Sequence, residues 1–190
     1  KGTEKQIKMQ TVGDMWGTGM FKCNACDFCD DVTTELADIS LGDAWIPPYV
    51  QDGKGTNVIV SRTALAEMLI NNGIRSAKLA VQPLPFHTFL SSQQGSYNHR
   101  HKALKYRMQN AEKQGIVIPP KRHNIENISL DFKWVQQHRR NVRKNSLLFW
   151  AMMSNVILFE ERIIKSLRKL QKATLAYHYK RALFNKIGLK

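Results

Sequence analysis

Cys23, Cys26 and Cys29 are the three cysteines of the chain, with two residues between each and the next. Such short spacers bring consecutive sulfurs close enough to share one metal centre, with a disulfide across the small loop as the redox alternative. A third reading treats them as small buried apolar residues. An iron–sulfur run of the Cys-x2-Cys-x2-Cys-x3-Cys type would place its fourth thiol at position 33, which is Thr33. Neither a second Cys-x2-Cys nor a Cys-x2-His follows to complete a zinc site. Asp27, Asp30 and Asp31 flank the cysteines. They read either as charges that lower a reduction potential or as a solvated acidic loop.

A second candidate lies in residues 53–56, where Gly53, Lys54, Gly55 and Thr56 could admit a phosphate to backbone N–H groups with Lys54 as a point charge. Arg62, six residues on, could add a bidentate contact. A plain connecting loop with a solvated lysine is the competing reading, and the spacing fits neither the Walker A motif nor the dinucleotide fingerprint. The six histidines, His87, His99, His101, His123, His138 and His178, show no metal-ligand spacing with a carboxylate and read as exposed polar residues. No catalytic acid, base or nucleophile is identified.

These groups must be positioned by a mixed α+β core, a modest sheet flanked by helices, with a basic helical extension at the C-terminus. Residues 35–41 suit a short strand ending at a Gly42-Asp43 turn, and residues 57–63 a buried strand. Thr63 suits an N-cap for a helix with Ala64, Leu65, Met68 and Leu69 on one side, stopping at Gly73. Residues 78–82 suit a strand broken by Pro83 and Pro85, and residues 97–114 a helix carrying Leu104, Met108 and Ala111. Pro119-Pro120 punctuates the approach to the tail, and the expected domains are 1–130 and 131–190. In the tail, Val156, Ile163, Leu167, Leu170, Thr174 and Tyr177 form a heptad-like seam beside a basic face. That seam suits docking onto the core or homo-oligomerisation. The basic face, with Phe149 and Trp150 nearby, leaves peripheral contact with an anionic membrane open.

Formal net charge is +14, from 29 Lys+Arg against 15 Asp+Glu. Residues 131–190 carry 14 basic and 3 acidic side chains, whereas the first sixty carry 5 and 9. The basic excess thus belongs to the tail and not to the cysteine region, which argues against a nucleic-acid interface built on the cysteines. With 43% hydrophobic and 23% charged residues, the composition is that of an ordinary folded domain. No apolar run reaches the length of a membrane span, and no signal peptide is visible, so a cytoplasmic protein is expected, with the inner membrane face as the peripheral alternative.

Several blocks together resemble one family. They are Cys23-x2-Cys26-Asp-Phe followed by Glu35-Leu-Ala-Asp-Ile-Ser-Leu-Gly-Asp43, then Asp52-Gly-Lys-Gly, then Val58-Ile-Val-Ser-Arg-Thr63. The family is that of the coenzyme F-420 hydrogenase/dehydrogenase beta subunits, in its C-terminal domain, which includes the plant hydroxymethyl-chlorophyll reductase. The resemblance runs from about Gly13 to Pro120 and takes in the basic helix at 99–105. It implies an oxidoreductase that passes electrons between a 4Fe-4S cluster, FAD and a substrate such as coenzyme F-420. It implies cluster ligation by Cys23 and Cys26, with Cys29 as a third ligand or a bystander. Gly42, Asp43, residues 53–56 and Arg62 are the positions assigned to flavin or deazaflavin. Replacing Lys54 and Arg62 by Ala is then expected to weaken cofactor binding without large loss of stability. The resemblance also implies a ferredoxin-type module or redox partner, an upstream segment completing cluster and flavin sites, and an inactive polypeptide without it. The alternative function is a non-enzymatic basic binding module, for nucleic acid or an anionic surface, with a cysteine zinc knuckle.

Overall fold

The computed structural model describes residues 15–123, 127–153 and 155–188. The mixed α+β class holds, with a two-stranded antiparallel sheet and a predominance of helix. Gly13, where the resemblance begins, lies outside the described residues. The chain divides into two compact units. One comprises residues 1–28, 105–118 and 126–190, the other residues 29–104 and 119–125.

The first unit is built on a helical hairpin, α6 (Leu130–Met152) and α7 (Val156–Lys186), preceded by the short α1 (Met15–Thr18) and most of α5 (Leu104–Glu112). Asn155 starts α7 by accepting a hydrogen bond from the Leu158 N–H at 3.0 Å. Partners step down α7 as they step up α6: Asp131 meets Lys180, Phe132 stacks on Tyr177, Asn145 bonds Ser166, and Trp150 meets Phe159. The two helices therefore run antiparallel. Their seam buries Val135, Val142, Ile163, Leu170 and Ala173, so the tail's apolar stripe docks within its own chain. Val156, the first member of the expected seam, is exposed, and Phe159 is buried in its place. Among the described residues, no helix is long and apolar enough to cross a membrane.

The second unit carries the sheet, β1 (Ile39–Asp43) against β2 (Asn57–Ser61), with Leu41 opposite Ile59 and Gly42 opposite Val58. Gly42 and Asp43 are therefore strand residues and not the expected turn, because both remain in register with β2. Only Val58 of β2 is fully buried, since a sheet of two strands cannot cover both of its faces. Thr63 caps α2 (Ala64–Arg75) as expected, accepting from the Ala66 N–H at 3.3 Å. The helix runs past Gly73 to Arg75. A Cβ at Gly73 would sit 2.5 Å from Leu79 Cδ1, so the glycine admits the returning chain instead of stopping the helix. Leu65, Met68 and Leu69 are exposed and Ala66 is the buried residue, which reverses the expected apolar side. Residues 78–82 form no strand: among the described residues no neighbouring strand supplies a ladder for this segment, and two prolines follow it. The helix expected over 97–114 is split into α4 (Gln94–Tyr97), a π-helical turn (Asn98–Lys102) and α5, ending at Gly115 with φ +67°. A further helix, α3 (Phe86–Ser92), follows the two prolines.

Candidate functional site

Cys23 precedes a 3₁₀ turn over Asn24–Asp27, and the Cys26 N–H donates to the Cys23 carbonyl at 3.2 Å. The turn brings the two thiols to 3.5 Å between Sγ atoms. The Cys26 thiol hydrogen-bonded to Cys23, helped by the Cys26 backbone N–H, holds the Cys23 pKa below the usual thiol value. Paired thiols, one with a lowered pKa, are a donor set that suits a metal or cluster. Cys29 belongs to the second unit, where its Sγ lies 3.6 Å from the Asp31 carbonyl.

The C-terminal helices hold the cysteine turn. Phe21 stacks on Phe159 at 5.5 Å between centroids and meets Trp150 edge-on at 5.8 Å. Its N–H donates to Ser146 Oγ at 3.0 Å, and Ser146 itself is fully buried in α6. Arg107 Nε donates to the Asp27 carbonyl at 2.9 Å, and Arg143 forms an ion pair with the Asp27 carboxylate. The C-terminal extension thus supplies Ser146 and Arg143, and α5 supplies Arg107, to the segment that carries Cys23 and Cys26.

None of the three aspartates forms a solvated acidic loop. Asp27 is paired with Arg143. Asp31 Oδ1 accepts from the Thr33 and Glu35 N–H groups at 3.1 Å each. Asp30 meets the Lys121 ammonium at 3.5 Å and the Arg122 N–H at 3.3 Å. Burial pushes the Asp30 carboxyl up, but the Arg122 N–H and the Lys121 charge outweigh it and hold it below the ordinary value. A group with a depressed folded pKa stabilises the fold above its unfolded value, about 3.9, and that contribution is lost as pH falls through the folded pKa. The melting temperature of the protein should therefore fall with acidification below about pH 4, and Asp30→Asn should flatten that fall. Identical pH profiles for both proteins would show that Asp30 carries no such linkage.

The expected cofactor residues separate into two groups. Gly42 and Asp43 lie at the end of β1 beside residues 53–56, where the Ala44 N–H donates to the Thr56 carbonyl at 3.0 Å. Gly42 also lines a shallow cleft with Thr33, Ser40, Val58, Phe89 and Gln93. Within the loop, Asp52 accepts from the Lys54 N–H at 2.9 Å and from Thr56 Oγ1 at 3.1 Å, and its carbonyl accepts from the Gly55 N–H at 3.0 Å. For a cofactor phosphate the loop therefore offers the Lys54 side chain, while the Lys54 and Gly55 N–H groups are engaged by Asp52.

Arg62 sits at the opposite end of the ladder, where its N–H donates to the Asp38 carbonyl at 2.9 Å. Its Nη1 donates to the Ala37 carbonyl and Ser40 Oγ, both at 3.1 Å. Its Nη2 donates to the Thr33 carbonyl at 2.8 Å and Thr33 Oγ1 at 3.1 Å. The guanidinium thus ties the 33–40 segment to β2. Arg62→Ala is expected to cost about 2–3 kcal/mol in chemical denaturation, because charged donors to several acceptors are lost at once. This replaces the expectation of little stability loss. A change within about 0.5 kcal/mol, the range of ordinary surface substitutions, would contradict the tie.

Four of the histidines, His99, His101, His123 and His138, are half-buried and depart from the expectation of exposed polar residues. His101 and His123, with Glu35, bring their ligand atoms within 4.8 Å of one another in the second unit. No sequence spacing reveals this, because the three lie on separate segments.

Comparison with known proteins gives one family match. Residues 1–85 match the family described as the C terminus of the coenzyme F420 hydrogenase/dehydrogenase beta subunit. The match covers the cysteine run, both strands and α2, and stops before the helices from α3 onward. No curated protein and no solved structure matches the chain.

Proposed function

We propose that the chain, whose residues 1–85 carry this family match, is part of an iron–sulfur flavoprotein oxidoreductase in which Cys23 and Cys26 ligate a 4Fe-4S cluster. The observation that carries this reading is a pair of thiols 3.5 Å apart inside the matched span. The bound groups supply the chemistry: single-electron transfer at the cluster and hydride transfer at FAD or a deazaflavin such as coenzyme F-420.

The chain's own residues position and tune. The 3₁₀ turn presents both sulfurs from one rigid loop, and Ser146, Arg107 and Arg143 fix that loop. The ion pair between Arg143 and Asp27 offsets a negative charge next to Cys26, easing the arrival of an electron. Cys29 is a third candidate ligand, held at Asp31. For the flavin, Gly42, Asp43 and residues 53–56 form the facing edge and Lys54 provides the cation for a phosphate. Arg62 positions the 33–40 segment, whose Thr33 and Ser40 line a cleft with Gly42. Residues 1–190 hold three thiols, so a fourth cluster ligand would come from a histidine, a carboxylate, an upstream segment of the same polypeptide or a ferredoxin-type partner.

A basic binding module with a zinc knuckle is the second reading. Against it, Arg100, Arg107, Lys121, Arg122 and Arg143 are engaged within the chain by Asp31, Asp27, Asp30 and Glu35. The test is the absorption spectrum and metal content of anaerobically purified full-length protein. Flavin and iron–sulfur bands with iron are expected; stoichiometric zinc with excess absorbance at 260 nm would overturn the redox reading.

A further inference from the structure

We infer that Glu35, His101 and His123 form a second metal site, one for a borderline divalent cation of the zinc type, separate from the cysteines. The site lies wholly within the second unit. Its three residues come from the segment before β1, from the π-helical turn and from the 119–125 segment. Their ligand atoms lie within 4.8 Å of one another, and all three residues are half-buried, open to an entering ion.

Two imidazoles and one carboxylate are a donor set that suits zinc and its first-row neighbours and leaves a coordination position open. The surroundings support ligation. His101 Nε2 lies 2.7 Å from the Asp30 carbonyl, which can only accept a hydrogen bond, so Nε2 carries the hydrogen and in the neutral ring Nδ1 is left with a lone pair. A ring N–H held by a backbone carbonyl is the usual outer support of a metal-binding histidine. His123 stacks on His101 with centroids 4.2 Å apart, and its Nε2 is 3.0 Å from Glu35 Oε2. The π-helical turn carries His101, and interruptions of this kind often mark functional positions. Arg122 Nη2 lies 3.4 Å from the same Glu35 oxygen. Its side chain is 47% exposed and is free to swing into solvent when a cation takes its place. An ion bound here would clamp residues 119–123 to the segment before β1.

Thiols also bind zinc, so the measurement uses the full chain with Cys23, Cys26 and Cys29 all replaced by Ser, which separates this site from the proposed cluster. Calorimetric titration with Zn2+ should show one equivalent bound. Adding His101→Ala with His123→Ala should weaken binding at least tenfold, and Arg122→Ala should strengthen it by removing a competing cation. Histidine modification by diethyl pyrocarbonate provides a reading that needs no histidine variant. Zn2+ should protect His101 and His123 and leave His87, His99, His138 and His178 unchanged. Absence of Zn2+ binding, binding indifferent to the two histidines, or uniform reactivity with and without Zn2+ would each overturn the site.

Discussion

Leu170→Ala is expected to destabilise the protein by about 2–5 kcal/mol, the range for truncating a leucine in a closed core. Leu170 is 4% exposed and lies on α7 between Ile163 and Ala173, which are also buried against α6. Two long helices joined by a short connection cannot move together to fill the space of three lost methylene-sized groups, so most of the void should persist. The consequence reaches the proposed cluster, because α6 carries Ser146 and Arg143, the contacts of Phe21 and Asp27. Loosening the hairpin should therefore weaken the hold of α6 on the segment that carries Cys23 and Cys26. Leu175→Ala is the matched control: that residue is 62% exposed, and its truncation should change stability by no more than about 0.5 kcal/mol. Chemical denaturation of both variants checks the pair. Equal losses would show that the helical seam is not the core of its unit.

Local chemistry was legible in the sequence where neighbours in the chain are also neighbours in space. The Thr63 cap, the β2 run and the Ile163, Leu167, Leu170 periodicity each depend on residues within a few positions of one another. The cysteine turn is of the same kind. Gly73 misled because a glycine late in a helix pattern signals a stop, whereas here it accommodates Leu79, a contact the pattern does not encode. Residues 78–82 have strand chemistry without a strand to pair with, and pairing is a property of the fold. An arginine at a strand end has the chemistry of an anion ligand, which is as much as the neighbours of Arg62 in the chain reveal. Its engagement by Thr33, Ala37 and Ser40 depends on a segment more than twenty residues earlier. The same holds more strongly for Glu35, His101 and His123, and for the hold of Arg107 and Arg143 on Asp27, where the partners are far apart in sequence. The basic tail is a charge excess in sequence, yet part of that charge faces acids in the folded chain.

The most direct measurement is iron and acid-labile sulfide per chain after anaerobic reconstitution of the full-length protein, compared with Cys23→Ser, Cys26→Ser and Cys29→Ser. Thiolate ligands to one cluster act together, so losing either member of the 3.5 Å pair removes a bond that serine replaces poorly. Cys23→Ser and Cys26→Ser should each lose most of the bound iron, with collapse of the iron–sulfur absorption, while Cys29→Ser should lose less. Iron and sulfide content equal to the parent in both Cys23→Ser and Cys26→Ser would contradict the assignment of the cluster to this turn.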